Sequence, residues 1–195
     1  VFFYLFTLLH AYVLMTNHIH LLLTPPEKGV LSKAMRIVGA RYVPYFNLKH
    51  GRCGTLWQGR FKTCLVQSEN YCLNVIRYIE LNPIRARLCA MPEEYRWSSV
   101  HQHVGLAVDK LLSSHTCYLG LGCNDQSCVD AYRTILHQGI SDEDLADIRI
   151  GIQQERALGN PRFLALVEKT LHRPVQWRPV GRPIVNSNVN DLRPL

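Results

Sequence analysis

One stretch constrains this chain more than any other: Asn17-His18-Ile19-His20-Leu21-Leu22-Leu23-Thr24, read together with Ala11 to Met15 just before it. The alternation in both halves predicts two β-strands around a turn near Thr16-Asn17, because a strand sends every second side chain to the same face. His18, His20 and Leu22 then share one face, and Ile19, Leu21 and Leu23 share the other. Two imidazoles about 7 Å apart along a strand can both reach one divalent ion, and neutral imidazole is a common ligand for such ions. A His-x-His on a half-exposed sheet face has the same appearance without any metal, so the pair alone leaves both readings open.

Charge narrows the choice of partner. The net charge of +7 lies entirely in the first half: residues 1–100 hold 12 Lys and Arg against 5 acidic residues, and residues 101–195 hold 10 against 10. From Lys28 to Lys62 the chain places Lys28, Lys33, Arg36, Arg41, Lys49, Arg52, Arg60 and Lys62 with no acidic residue between them. That is the footprint of a phosphate-backbone partner, and a solvated basic helix shares it. The opening Val1 to Leu9 is apolar but lacks a basic flank and a small-residue cleavage site. It falls short of the roughly 20 residues needed to span a bilayer, so neither a signal peptide nor a membrane partner is expected. The seven cysteines (53, 64, 72, 89, 117, 123, 128) are odd in number and contain no C-x-x-C. They show neither a zinc pattern nor a disulfide framework, and reduced thiols in a cytoplasmic protein are the expectation.

After the strand pair, Pro25 to Gly29 breaks the pattern and a helix is expected from Leu31-Ser32. Leu31, Ala34, Met35, Val38 and Tyr42 follow a 3.6-residue period with Lys33, Arg36 and Arg41 on other sides. Pro44 sits inside this helix, where proline costs about 3 kcal/mol or forces a kink. Phe61 to Gln67 reads as a strand. Trp57 beside Arg60 suits stacking on an unpaired base, worth about 1–3 kcal/mol, and equally suits ordinary packing. Ser68 is the expected N-cap of a further helix running to Leu81-Asn82 before Pro83, with Cys72, Val75, Ile76 and Ile79 as its core stripe. Tyr71, Tyr78 and Asn82 line one edge of that stripe and can face a common site. A boundary tyrosine and an asparagine C-cap before proline would give the same residues.

Four segments in this order and spacing, VLMTNHIHLLLTP, LSKAMRIVGARYVPYFN, GTLWQGRFKTCLVQ and NYCLNVIRYIELNPIRARLCAMPEEYRWSS, resemble the REP-associated branch of the single-tyrosine HUH transposases, the IS200-like family. The resemblance covers roughly residues 11–103, and LGNPRFLALVEKTLHRPV followed by RPVGRP resembles the tail of some members. It implies an α+β fold, a ferredoxin-like sheet with helices on one face, and a metal-dependent nuclease acting on single-stranded or hairpin DNA through a transient 5′-phosphotyrosine bond. By position, His18 and His20 match the HUH pair, Tyr78 of Tyr-Ile-Glu-Leu-Asn-Pro matches the nucleophile, and Asn82 stands where a third ligand to Mg²⁺ or Mn²⁺ is expected. Lys33, Arg36, Arg41, Trp57, Arg60 and Lys62 are then the expected DNA contacts. Tyrosine is a poor nucleophile at its unperturbed pKa of about 10, so a nearby cation or base is required, and the residues do not say which.

The expected division is a catalytic domain over residues 1–105, a small helical C-terminal extension over 106–175 and a flexible tail over 176–195. Asp130 to His137, Asp142 to Ala157 and Pro161 to Leu171 read as three short helices, with Ser141 capping the second. His101-Gln102-His103 is a second His-x-His in loop-like sequence and a weak ligand pair. Arg178 to Pro183 has a faint likeness to a minor-groove arm, but a flexible tail explains it as well. Relatives usually carry another strand and helix before the match to Ala11 to Met15, so the chain reads as shortened at its front. Thr16 replaces the usual proline before Asn-His. These departures, with Pro44, predict weak or absent activity for the chain alone, a tendency to associate and a possible homodimer. The rival functions are a DNA-binding module without turnover, as a decayed transposase copy would be, and a metal-dependent RNA-processing nuclease.

Overall fold

The computed structural model describes residues 5–172 and 174–175. Residues 1–4 and the 176–195 tail with its Arg178 to Pro183 stretch lie outside the described residues. Strand β1 (Leu8–Leu14) and strand β2 (Ile19–Thr24) form an antiparallel hairpin in which Val13 faces His20, Ala11 faces Leu22 and Leu14 faces Ile19. The Met15 N–H donates to the His18 carbonyl at 2.9 Å, closing the turn over Thr16-Asn17 where the alternation predicted it. The register slips between Leu9 and Ala11, so His10 is an extra residue on β1.

The rest of the architecture is helical. Helix α1 (Val30–Lys49) is followed by the two-residue strand β3 (Leu65–Val66), helix α2 (Ser68–Glu80) and the single turn α3 (Asn82–Arg85). Then come α4 (Val100–His103), α5 (Thr116–Leu119), α6 (Asp125–His137), α7 (Asp142–Gln153), strand β4 (Ala157–Leu158) and α8 (Pro161–Leu171). The fold is α+β, as expected. Among the described residues the sheet at its centre has two strands, and the outer edge of β1 is met by irregular chain: Leu14 N–H donates to Trp97 O, Ser113 N–H donates to Leu9 O, and Val13 bridges Ser98.

Ala11 and Val13 are fully buried because α2 lies on their face of the hairpin, and Cys72, Val75, Ile76 and Ile79 form the buried stripe of α2 that the helical period predicted. The same apolar cluster continues through Val100, Val104, Tyr118, Cys128, Tyr132, Leu136, Ile148 and Leu158. Helices beyond residue 106 thus share their buried side chains with α2.

Several local expectations are corrected. Helix α1 runs unbroken through Pro44; Pro44 and the preceding-turn residue Ala40 are both exposed, so water can serve the carbonyl that proline leaves without a donor. Of the strand expected over Phe61 to Gln67, only Leu65–Val66 pairs, in parallel with Ala157–Leu158, because that partner is itself two residues long. The cap position of α2 is Gln67 rather than Ser68, with no side-chain cap bond; the Gln67 amide oxygen instead accepts from the Asn160 N–H at 2.8 Å. Helix α6 begins five residues early at Asp125, where the Asn124 side chain caps the Ser127 N–H, and α7 ends at Gln153, four residues before the expected Ala157. Ser141 caps α7 by accepting from Asp144 N–H at 3.1 Å, as read from the sequence.

Candidate active site

The site arises from the register of the hairpin. Paired residues on neighbouring strands share a face, so the Val13–His20 pairing turns His20 toward the side that α2 covers. Tyr78, in the last turn of α2, is 7% exposed and meets it there: the two ring centroids are 5.6 Å apart with planes nearly perpendicular. His18, at the mouth of β2, is exposed, and its ring lies edge-on to His20 with centroids 5.0 Å apart. The Asn17 amide oxygen is 2.7 Å from His18 Nδ1 and holds the orientation of that ring. Burial, with smaller contributions from His18 and the Arg85 charge, pushes His20 down to about 4. At neutral pH its imidazole is uncharged, the form that offers a lone pair.

Asn82 opens α3 one residue after α2 ends. Leu81 stays in the right-handed helical region, and Pro83 at the second position of α3 needs no helical donor, so the chain carries on almost without a bend. The Asn82 Nδ2 donates to the Tyr78 carbonyl at 3.0 Å, which is also what a C-capping asparagine does, and which leaves Oδ1 without that bond.

The sequence reading missed Arg85. Its guanidinium lies over the Tyr78 ring, 4.6 Å from the centroid, and also donates to the Tyr78 carbonyl. Burial pulls its pKa down, partly offset by Tyr78, yet a guanidinium remains charged at any ordinary pH. The charge of Arg149 in α7 adds a small further lowering. The signal was present: Arg85 follows Tyr78 by seven residues, two helical turns, on a chain that keeps helical geometry past Pro83.

The structure does not gather the basic residues into this pocket. Lys33, Arg36 and Arg41 are exposed along α1, and Arg60 and Lys62 are exposed on the irregular chain after it. Trp57 leans on α1, its ring 6.2 Å from Tyr42 and its Nε1 close to Gly39, while remaining 38% exposed. Its indole is thus anchored and still presents area to solvent. Tyr71 is half-buried against the core. The second His-x-His is split: His101 Nε2 lies 2.8 Å from the Glu93 carbonyl, and His103 Nδ1 lies 2.6 Å from the fully buried Glu80. Two rings with separate partners are not a ligand pair.

No helix among the described residues is long and apolar enough to cross a membrane. No curated protein and no solved structure matches the chain. Residues 6–82, the span that carries the hairpin, the two histidines, Tyr78 and Asn82, match the family model described as "Transposase IS200 like", and this segment is therefore similar to the IS200-like transposases.

Proposed function

We propose that this protein cuts and rejoins single-stranded DNA, with Tyr78 as nucleophile and a divalent metal, Mg²⁺ or Mn²⁺, held by His18, His20 and Asn82. The observation that carries the reading is the convergence of His20, Tyr78 and Arg85, brought together from β2, α2 and α3 within the segment that matches the transposase family. The donor set fits such an ion: two neighbouring imidazoles, one kept neutral by burial, and an amide whose nitrogen is already engaged. When bound, the metal supplies Lewis-acid polarisation of the phosphate.

The Tyr78 oxygen attacks phosphorus in line with the bond to the 3′ oxygen. The phenol loses its proton, the P–O3′ bond breaks, and the leaving oxygen takes up a proton as a 3′-hydroxyl while the 5′ phosphate stays on the tyrosine. Because the ester is conserved, a second 3′-hydroxyl can reverse the step without a nucleotide cofactor. Arg85, whose guanidinium lies over the Tyr78 ring, supplies a cation beside the attacking residue and stabilises the charge gathering on the phosphate oxygens. The exposed Lys33, Arg36, Arg41, Arg60 and Lys62 track the DNA backbone, and Trp57 stacks on an unpaired base.

An assay with a 5′- or 3′-labelled hairpin oligonucleotide and Mg²⁺ or Mn²⁺ tests this. A covalent protein–DNA adduct at Tyr78, located by mass spectrometry, is expected. Binding without an adduct would make the protein a DNA-binding module, and cleavage of RNA without an adduct would make it an RNA-processing nuclease.

A further inference from the structure

A second cluster of ligand-bearing side chains lies outside the Tyr78 site. Cys72 of α2 and His115 and Cys117 at the start of α5 bring two sulfurs and a ring nitrogen within 4.8 Å of one another. Cys72 is 2% exposed, and Cys117 and His115 are half-buried. It is not legible in the spacing of the cysteines, since Cys72 stands far from the His115-x-Cys117 pair and no C-x-x-C is present.

Three such atoms this close can converge on one ion. His115 Nδ1 lies 3.1 Å from Cys117 Sγ and also accepts from the Cys117 N–H at 3.1 Å, a cap bond that coordination at this nitrogen would replace. A tetrahedral zinc ion with Zn–S near 2.3 Å and Zn–N near 2.0 Å needs sulfur–sulfur and sulfur–nitrogen edges of about 3.5–3.8 Å, an adjustment of well under an ångström for the measured pair.

The surroundings hold the ligands in place. The His10 ring stands perpendicular to His115 with centroids 4.7 Å apart, and both its nitrogens are engaged, Nδ1 at 2.7 Å from the Ser113 carbonyl and Nε2 at 2.9 Å from the Thr24 hydroxyl. His10 thus braces His115, its own nitrogens being taken by other partners.

We propose that Cys72, His115 and Cys117 form a binding site for a thiophilic divalent cation, zinc, that clips α5 to α2 and is separate from the site at Tyr78. The ion binds two thiolates and one neutral imidazole, and the thiol protons pass to solvent. Cys72 precedes Tyr78 by six residues, about 9 Å along the helix axis, so one helix carries both sites. The clip fastens the C-terminal helices to the helix that presents the tyrosine, and its chemistry differs from that of the histidine–amide set, which suits harder ions.

The test uses the full chain purified under reducing conditions, with zinc measured by elemental analysis and the site examined by Co²⁺ substitution. The expected result is about one zinc per chain, unchanged in the His18→Ala/His20→Ala double variant and in Cys123→Ser, and lost in Cys117→Ser and His115→Ala. The Co²⁺ protein should show a thiolate-to-metal charge-transfer band in the near ultraviolet, and removal of zinc by a chelator should lower the melting temperature of the wild-type chain. The two wild-type measurements decide the matter if a variant fails to fold. Zinc retained at full occupancy by Cys117→Ser, a Co²⁺ spectrum without the thiolate band, or a Cys72–Cys117 disulfide in place of bound metal would overturn the proposal. Loss of zinc in the histidine double variant alone would assign the ion to the Tyr78 site instead.

Discussion

The hydroxyl of Tyr132 donates to Glu80 Oε2 across 2.6 Å, joining α6 to the last residue of α2, two positions after the candidate nucleophile. The other carboxylate oxygen accepts from the Ser99 hydroxyl at 2.5 Å and lies 2.6 Å from His103 Nδ1. Glu80 is fully buried, so these three partners replace the water it gives up on folding. Tyr132→Phe is expected to cost about 1–3 kcal/mol, and Glu80→Ala, which strands His103 and two hydroxyls, about 3–5 kcal/mol. Equilibrium urea unfolding followed by tryptophan fluorescence gives both values; a Glu80→Ala chain as stable as the parent would remove the network from any structural role.

Tyr78→Phe keeps the ring against His20 and under Arg85 while deleting the oxygen that attacks. Adduct formation should vanish, with DNA affinity within about twofold of the parent, or about 0.4 kcal/mol. Gel separation of labelled DNA and fluorescence anisotropy report the two quantities. An adduct that persists would move the nucleophile elsewhere, with Tyr71 the first place to look.

Arg85→Ala removes the charge above the Tyr78 ring. A loss of about 10²–10³-fold in the single-turnover cleavage rate is expected, and Arg85→Lys should recover part of it, since charge survives but the planar fork does not. Cleavage by Arg85→Ala at the parental rate would show that the cation only packs against the ring.

His18→Ala and His20→Ala should each abolish metal-dependent cleavage. The readout is a titration of cleavage against Mn²⁺ concentration, beside circular dichroism spectra that confirm the fold of each variant. If both variants cut normally, the hairpin histidines are structural.

Binding should weaken steeply with salt. For single-stranded DNA each lost phosphate contact should reduce the slope of log K against log salt by about 0.7, so Lys33→Glu with Arg36→Glu should flatten it by about 1.4. An unchanged slope would place the strand away from α1.

What the sequence disclosed and what it withheld divide along distance in the chain. The hairpin was legible because alternation and a two-residue turn are local, and the α2 stripe of Cys72, Val75, Ile76 and Ile79 was legible because a helical period is local. The α+β class followed from the two together. Phe61 to Gln67 misled for the opposite reason: strand-forming residues need a partner of matching length, and Ala157–Leu158 offers two residues. The buried role of Glu80 has no local signal, because its three partners lie 19, 23 and 52 residues away. Cys72 was read as a core residue, and nothing in its neighbourhood along the chain pointed to His115 and Cys117. Arg85 is within reach of periodicity across Pro83, because a proline in the first turn of α3 is no obstacle to a helical path.

The short parallel pairing of Leu65–Val66 with Ala157–Leu158 gives the site a history as well as a shape. The chain emerges from the ribosome N-terminus first, so the hairpin and α2 exist long before the strand that secures the entrance of α2 has been made. About ninety residues of intervening chain must be closed into a loop for that contact, an entropic cost that grows only slowly with length but cannot be met until both ends are present. A nascent chain halted before Ala157 therefore holds Tyr78, His18 and His20 on a helix and hairpin whose far anchor has yet to be synthesised. Completion of the site therefore waits on Ala157 and Leu158, made about ninety residues after the strand they meet.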